Sequence, residues 1–127
     1  MQTRDQLYAQ TVYAQVSQMA GEEIPKSDRN AYGSMAHRLP ALIRSAGLAQ
    51  ALAFVEARGK EPHKRLLDHL AQTLGEGSRS DLLERSRRAE LPEYLDLTRR
   101  ALAALNWYKR FAQSILEVES GIDDSGE

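Results

Sequence analysis

No cysteine occurs among the 127 residues, which excludes disulfides, thiolate metal sites and thiol redox chemistry and suits a reducing cytoplasm. Proline is scarce and β-branched residues are few, so strand-rich architectures have little to build from. Long apolar runs are missing as well. Arg4 and Asp5 stand near the start, and the uncharged stretch 6–21 is broken by Gln6, Gln10, Thr11, Gln15, Ser17 and Gln18. That is too polar for a signal peptide or a bilayer span, so a cytoplasmic location is expected.

What remains is rich in Leu and Ala, with Gly and Pro standing singly at intervals. The composition predicts an all-α fold, a compact bundle of about six to seven helices ending in a long one. A single domain is expected over residues 1–120, followed by an acidic tail at 121–127 without fixed structure.

Thr3 and Gln6 have the spacing of a capping box, and Tyr8, Val12, Val16 and Met19 repeat at helical spacing until Gly21. After the break "EEIP", Ser27 is the expected cap of a helix with Ala31, Tyr32, Met35, Ala36 and Leu39 inward. A kink and restart is expected at Pro40, with Leu42 and Ile43 inward and Gly47 as a stop. Leu48, Ala51, Leu52 and Val55 form the next apolar side, closed by Gly59, and Pro62 starts a helix with the stripe Leu66, Leu67, Leu70 and Leu74. A short helix under a Ser80 cap follows, with Arg85, Arg87 and Arg88 near its negative end. From Pro92 to residue 119 nothing breaks the pattern, which predicts a helix of about 28 residues, roughly 42 Å long. Its apolar rows hold Tyr94, Leu97, Ala101, Leu105, Tyr108, Ala112 and Ile115, widened by Leu95, Thr98, Leu102, Phe111 and Leu116.

Residue patterns that carry chemistry are few. His37, His63 and His69 form no i, i+4 pair for zinc, and for Asp68 and His69, whose side chains diverge around a helix, surface or capping roles are expected. "GEGS" at 75–78 lacks the lysine of a phosphate-binding loop and reads as a helix end with a loop. No strained nucleophile turn is present. Neither a metal, nor a cofactor, nor an enzymatic activity is expected.

Charge is unevenly spread. Residues 115–127 hold five acids and no base, while the first 114 carry a net of +4. Such a body suits polyanions, and a solvated mixed-charge surface is the plainer alternative. "NWYKRFAQ", at 106–113, concentrates rings and cations on the long helix. Tyr108 and Phe111 fall on apolar rows, Asn106, Arg110 and Gln113 project elsewhere, and Trp107 is either a stacking platform or a ring at the core edge. Arg99, Arg100, Lys109 and Arg110 are the first candidates for a phosphate track, and Lys64, Arg65, Arg85, Arg87 and Arg88 the second.

Three segments carry a resemblance: "RDQLYAQTVYAQV" near the start, "LPALIRSAGLAQALAFVEARG" in the middle and "YLDLTRRALAALNWYKRFAQSI" near the end. In that order they resemble the small subunit of type III-B CRISPR effector complexes across nearly the whole chain. The resemblance implies a compact helical protein that assembles in several copies along the Cmr (RAMP module) ribonucleoprotein. Its implied partners are other Cmr subunits, further copies of itself, guide RNA and target RNA. Base pairing reads the sequence while this subunit offers a basic wall indifferent to it, and target cleavage belongs to another subunit. No family motif anchors an RNA contact residue by residue, so the nine cations are named on physical grounds alone. Two other readings stand beside this one. A helical module that docks proteins and never touches nucleic acid fits the same pattern; a free-standing DNA-binding regulator fits it less well, since its recognition helix would be short and basic.

Overall fold

The computed structural model describes residues 1–120; the acidic tail expected at 121–127 lies outside them. Among the described residues there are six helices and no strand. They are α1 (Arg4–Met19), α2 (Lys26–Ala46), α3 (Leu48–Arg58), α4 (Glu61–Thr73), α5 (Arg79–Arg88) and α6 (Leu91–Ser114). α6 packs along both α1 and α2, α2 also meets α3 and α4, and α5 closes over α3 and α4.

The expected stripes form the core. Val12, Val16, Leu39, Leu52, Leu66, Leu67, Leu70, Leu97 and Leu105 are fully buried. Thr3 and Gln6 make the expected capping box, with the Gln6 amide donating to Thr3 Oγ1 at 3.0 Å and the Thr3 amide to Gln6 Oε1 at 2.8 Å. Between α2 and α3 a single residue, Gly47, turns the chain at φ 91°. That left-handed value favours glycine, and the hydroxyl of Tyr94 approaches within 3.4 Å of where a Cβ would lie. The same hydroxyl accepts from the Ala49 amide at 3.1 Å, so α6 caps the start of α3.

Four local expectations are corrected. α2 runs through Pro40 without ending. An internal proline removes one helical hydrogen bond at a cost of about 3 kcal/mol. Leu39, Pro40 and Ile43 are buried there, and full burial of a Leu or Ile side chain returns roughly 1.5–3 kcal/mol. Burial therefore carries the helix across the defect. α2 starts after Pro25, whose extended backbone leads into the first turn, rather than under Ser27. α5 is capped by Ser78 and not Ser80, because Asp81 can reciprocate only to a residue three positions earlier: each amide of the pair donates to the other's side chain at 3.1 Å. α6 stops at Ser114 and is about 36 Å long. Beyond it Glu117 adopts φ 60° and the Val118 amide donates to Ala112 O at 2.9 Å, which folds buried Leu116 and Val118 back onto the body. Val118 lies where a side chain at Gly33 of α2 would stand, 2.7 Å from that Cβ position.

The histidines are also not at the surface: His63 is fully buried, and His37 and His69 are 8% exposed. His69 belongs to a polar network inside the apolar core. Gln15 Nε2 of α1 donates to the His69 carbonyl of α4 at 3.1 Å, and the Tyr108 hydroxyl of α6 donates to Gln15 Oε1. The single Thr73 hydroxyl proton is shared between the same Gln15 oxygen, at 3.3 Å, and the Tyr108 oxygen, at 3.0 Å. Tyr32 of α2 shares one of 2.7 Å with His69 Nδ1. Four helices thus meet through one set of hydrogen bonds. Burial holds the His69 imidazole down to about 4, helped by repulsion from the Arg65 cation, and burial raises both tyrosines well above their ordinary value.

The sign of the His69 shift fixes a pH dependence. The unfolded chain takes up a proton near 6.5 while the folded imidazole resists until about 4, so the stabilisation is complete above 6.5 and is lost as pH falls towards 4. Chemical denaturation should show a fall on the order of 2–3 kcal/mol across that window, and His69→Gln should remove most of the slope. Gly33→Ala improves helix propensity by about 1 kcal/mol but overpacks Val118, so urea unfolding should show a net loss of about 1–2 kcal/mol.

Candidate nucleic-acid interface

A straight helix turns by about 100° per residue, so eleven residues return within about 20° of the starting direction. Arg99 and Arg110 therefore share a face of α6, about 17 Å apart along its axis. Asn106 and Gln113 fall on the same face, and all four residues are exposed. By the same geometry Arg100 and Lys109 point to opposite flanks, about 180° apart. The four cations of α6 are not one row.

Each flank has its own partners. Arg100 reaches the loop between α4 and α5, where Nη1 donates to the Leu74 carbonyl at 3.1 Å and Nη2 to Glu76 Oε2 at 3.2 Å. Its Nε donates to Asp96 Oδ2 at 2.9 Å. Burial opposes its charge, but hydrogen bonds to Asp96, Glu76 and Tyr8 outweigh that and raise its affinity for the proton. Asp96 is held below the ordinary carboxylate value, first by the Arg100 hydrogen bond and then by the nearby guanidiniums. With its side chain 17% exposed, Arg100 is a clamp. Arg99 is 72% exposed and meets Asp96 only at 3.9 Å.

Glu76 joins the flank to α5, since its other oxygen pairs with Arg85 at 3.2 Å. Arg88 pairs with Glu84 on α5 at 3.2 Å, and Arg87 is exposed. All three also sit in the last turn of α5, where cations complement the helix dipole. Lys64 and Arg65 lie in the first half of α4, with Arg65 Nη1 at 4.0 Å from Met19 Sδ.

Trp107 takes the core-edge role. Its Nε1 donates to Asp5 Oδ1 at 3.0 Å and its ring stacks on Phe111, centroids 5.5 Å apart. The stack leaves it tied to the start of α1, with Tyr13 of α1 meeting Phe111 edge-on at 5.4 Å. Leu95, expected on the apolar row, is 47% exposed.

On the Lys109 flank a cleft of about 310 Å³ opens between α2 and the end of α6, lined by His37, Asn106, Lys109, Arg110, Gln113 and Ser120. His37 Nε2 lies 2.8 Å from the Val118 carbonyl, to which it donates. The sequence placed Asn106 and Gln113 on a polar face, but His37 and Ser120 arrive from other segments and carried no local signal. A second grouping also escaped the sequence reading: the Arg38 and Arg58 guanidiniums both lie 5.9 Å from the half-exposed ring of Phe54. Among the described residues no group of three or more His, Cys, Asp or Glu is placed to hold a metal ion, and no helix is long and apolar enough to cross a membrane.

The neighbouring arginines should separate by stability. Arg100→Gln removes the hydrogen bonds of a largely buried cation, and thermal unfolding should report a loss of about 1–3 kcal/mol. Arg99→Gln should change stability by less than about 0.5 kcal/mol, as for an exposed pair. Equal losses in the two variants would sink the assignment of Arg100 as the clamp.

A family model described as "CRISPR-associated protein (Cas_Cmr5)" matches residues 4–115. The chain is 51% identical over 117 residues to "CRISPR system Cmr subunit Cmr5" of Thermus thermophilus, covering 92% of this chain and 99% of that protein. It is also similar to the crystal structure of a CRISPR-associated Cmr5 family protein from Thermus thermophilus. There the TM-score is 0.83 at 51% identity, over 91% of this chain and 98% of the other.

Proposed function

The chain belongs to the Cas_Cmr5 family of CRISPR-associated proteins, and on that premise we propose that it is a non-catalytic small subunit of a type III-B Cmr ribonucleoprotein in the cytoplasm. It assembles with other Cmr subunits and with further copies of itself, and it lines the guide and target RNA. The observation that carries this reading is the outward face of α6, where Arg99 and Arg110 alternate with Asn106 and Gln113 on one exposed stripe. Cations and amides spaced along a rigid helix suit a phosphate backbone and are indifferent to base identity.

Within the nine candidate cations the roles divide. Arg99, Lys109 and Arg110 make the principal contacts, and Arg85, Arg87, Arg88, Lys64 and Arg65 add to the basic field. Arg100 acts by positioning α6. A binding role rather than a chemical one is supported by the commitments of the buried imidazoles, His69 to Tyr32 and His37 to the Val118 carbonyl. A protein-docking module without RNA has one observation in its favour, the exposure of Leu91 and Leu95 at 67% and 47% on the first turns of α6.

Purification of the tagged chain from its native host should yield a large particle carrying repeat-derived guide RNA. In that particle Arg99→Glu, Lys109→Glu and Arg110→Glu together should lower RNA affinity at least tenfold. The slope of log affinity against log salt should fall by about 0.7–0.9 for each phosphate that is no longer neutralised. Recovery without guide RNA, or an unchanged salt slope, would overturn the RNA-lining role and favour the docking module.

A further inference from the structure

We propose that the cleft between α2, the end of α6 and the C-terminal return is a binding site for a single phosphate group. This deepens the RNA-lining reading by naming the group recognised, and rests on that reading for the source of the phosphate only.

The donors come first. Asn106, Lys109, Arg110 and Gln113 fall within an arc of about 100° on α6, so one ligand can meet all four. They offer an ammonium, a guanidinium fork and two amides, and Ser120 adds a hydroxyl from the opposite wall. No carboxylate lines the cleft among the described residues. A tetrahedral oxyanion, with several acceptor oxygens and one or two charges, is the complement of such a set. A cation or an apolar ligand is not.

The cleft is also built rather than incidental. Its far wall is the return, held by the bond from His37 Nε2 to the Val118 carbonyl and by the close seating of Val118 against Gly33. His37 is 8% exposed, and its other nitrogen, Nδ1, is buried with no hydrogen-bond partner among the described residues. With Nε2 donating, Nδ1 of the neutral imidazole is an acceptor and calls for a donor such as water, so an oxyanion in the cleft is met by the α6 side chains and not by His37. The binding donors lie on a regular helix and the wall is fixed by buried contacts, so little is left to order when the ligand arrives.

The phosphate has two chemical sources, an internal phosphodiester of RNA or the phosphomonoester of a nucleotide. Side-chain amide resonances of Asn106 and Gln113 in the full chain distinguish them. Inorganic phosphate should shift both resonances saturably, and Lys109→Gln with Arg110→Gln should weaken that saturation at least tenfold with the fold intact by circular dichroism. Arg44→Gln, an exposed cation about 10 Å along α2 from His37, should leave it unchanged. Displacement of phosphate by a short RNA lacking terminal phosphates assigns the site to the backbone; displacement by a nucleoside monophosphate and not by that RNA assigns it to a monoester. Either result supports the site. A shift that never saturates, one that survives in the double variant, or one weakened equally by Arg44→Gln overturns it. If particles still carry guide RNA while the amides ignore phosphate, the cleft proposal fails and the RNA-lining reading stands.

Discussion

The amide of Gln15 sits where α1, α4 and α6 converge, and the disposition of the whole surface depends on it. Its nitrogen donates to a backbone carbonyl of α4, and its oxygen accepts from Tyr108 of α6 and Thr73 of α4. Apolar packing alone tolerates a helix that slides or rotates slightly, because one leucine replaces another at small cost. A buried amide tolerates neither movement, since an unpaired polar group in the core costs about 1–3 kcal/mol. The network therefore fixes rotational setting as well as proximity. Tyr108 inward means Arg99 and Arg110 outward, and Arg100 directed at Glu76.

Much of this was legible in the chain and some was not, for identifiable reasons. The stripes through Val12, Leu66 and Leu97 were visible because burial imposes the helical period on apolar residues. Gln15 and the histidines were invisible because a polar residue in a core is explained by partners far along the chain: 54 residues separate Gln15 from His69, and 81 separate His37 from Val118. Pro40 misled for a related reason, as a local rule was outweighed by burial on both sides. Arg99 and Arg100 were indistinguishable as neighbours of the same type. One belongs to solvent and the other to the α4–α5 loop, a difference created by the rotation of α6 about its axis.

The surface that results is divided. Cations held by acids, such as Arg100 and Arg85 on Glu76, stabilise the joint between α5 and α6. Arg99, Arg110 and Lys109, on the outer face and its α2 flank, stand among amides. Their spacing is set by the helix that carries them. Rigidity comes from the length of α6 and from its packing on α1 and α2 at once.

The pairing of α1 with α6 has a consequence for how the chain comes into being. Asp5 meets Trp107 and Gln15 meets Tyr108, contacts that span 102 and 93 residues. During synthesis α1 leaves the ribosome long before α6 exists, with no α6 to cover Val12 and Val16. α2 to α4 can associate as they emerge, but so long a loop closes only once α6 has been made. A stall or truncation before residue 108 would thus release an unclosed chain with its core open, rather than a slightly shorter version of the same domain.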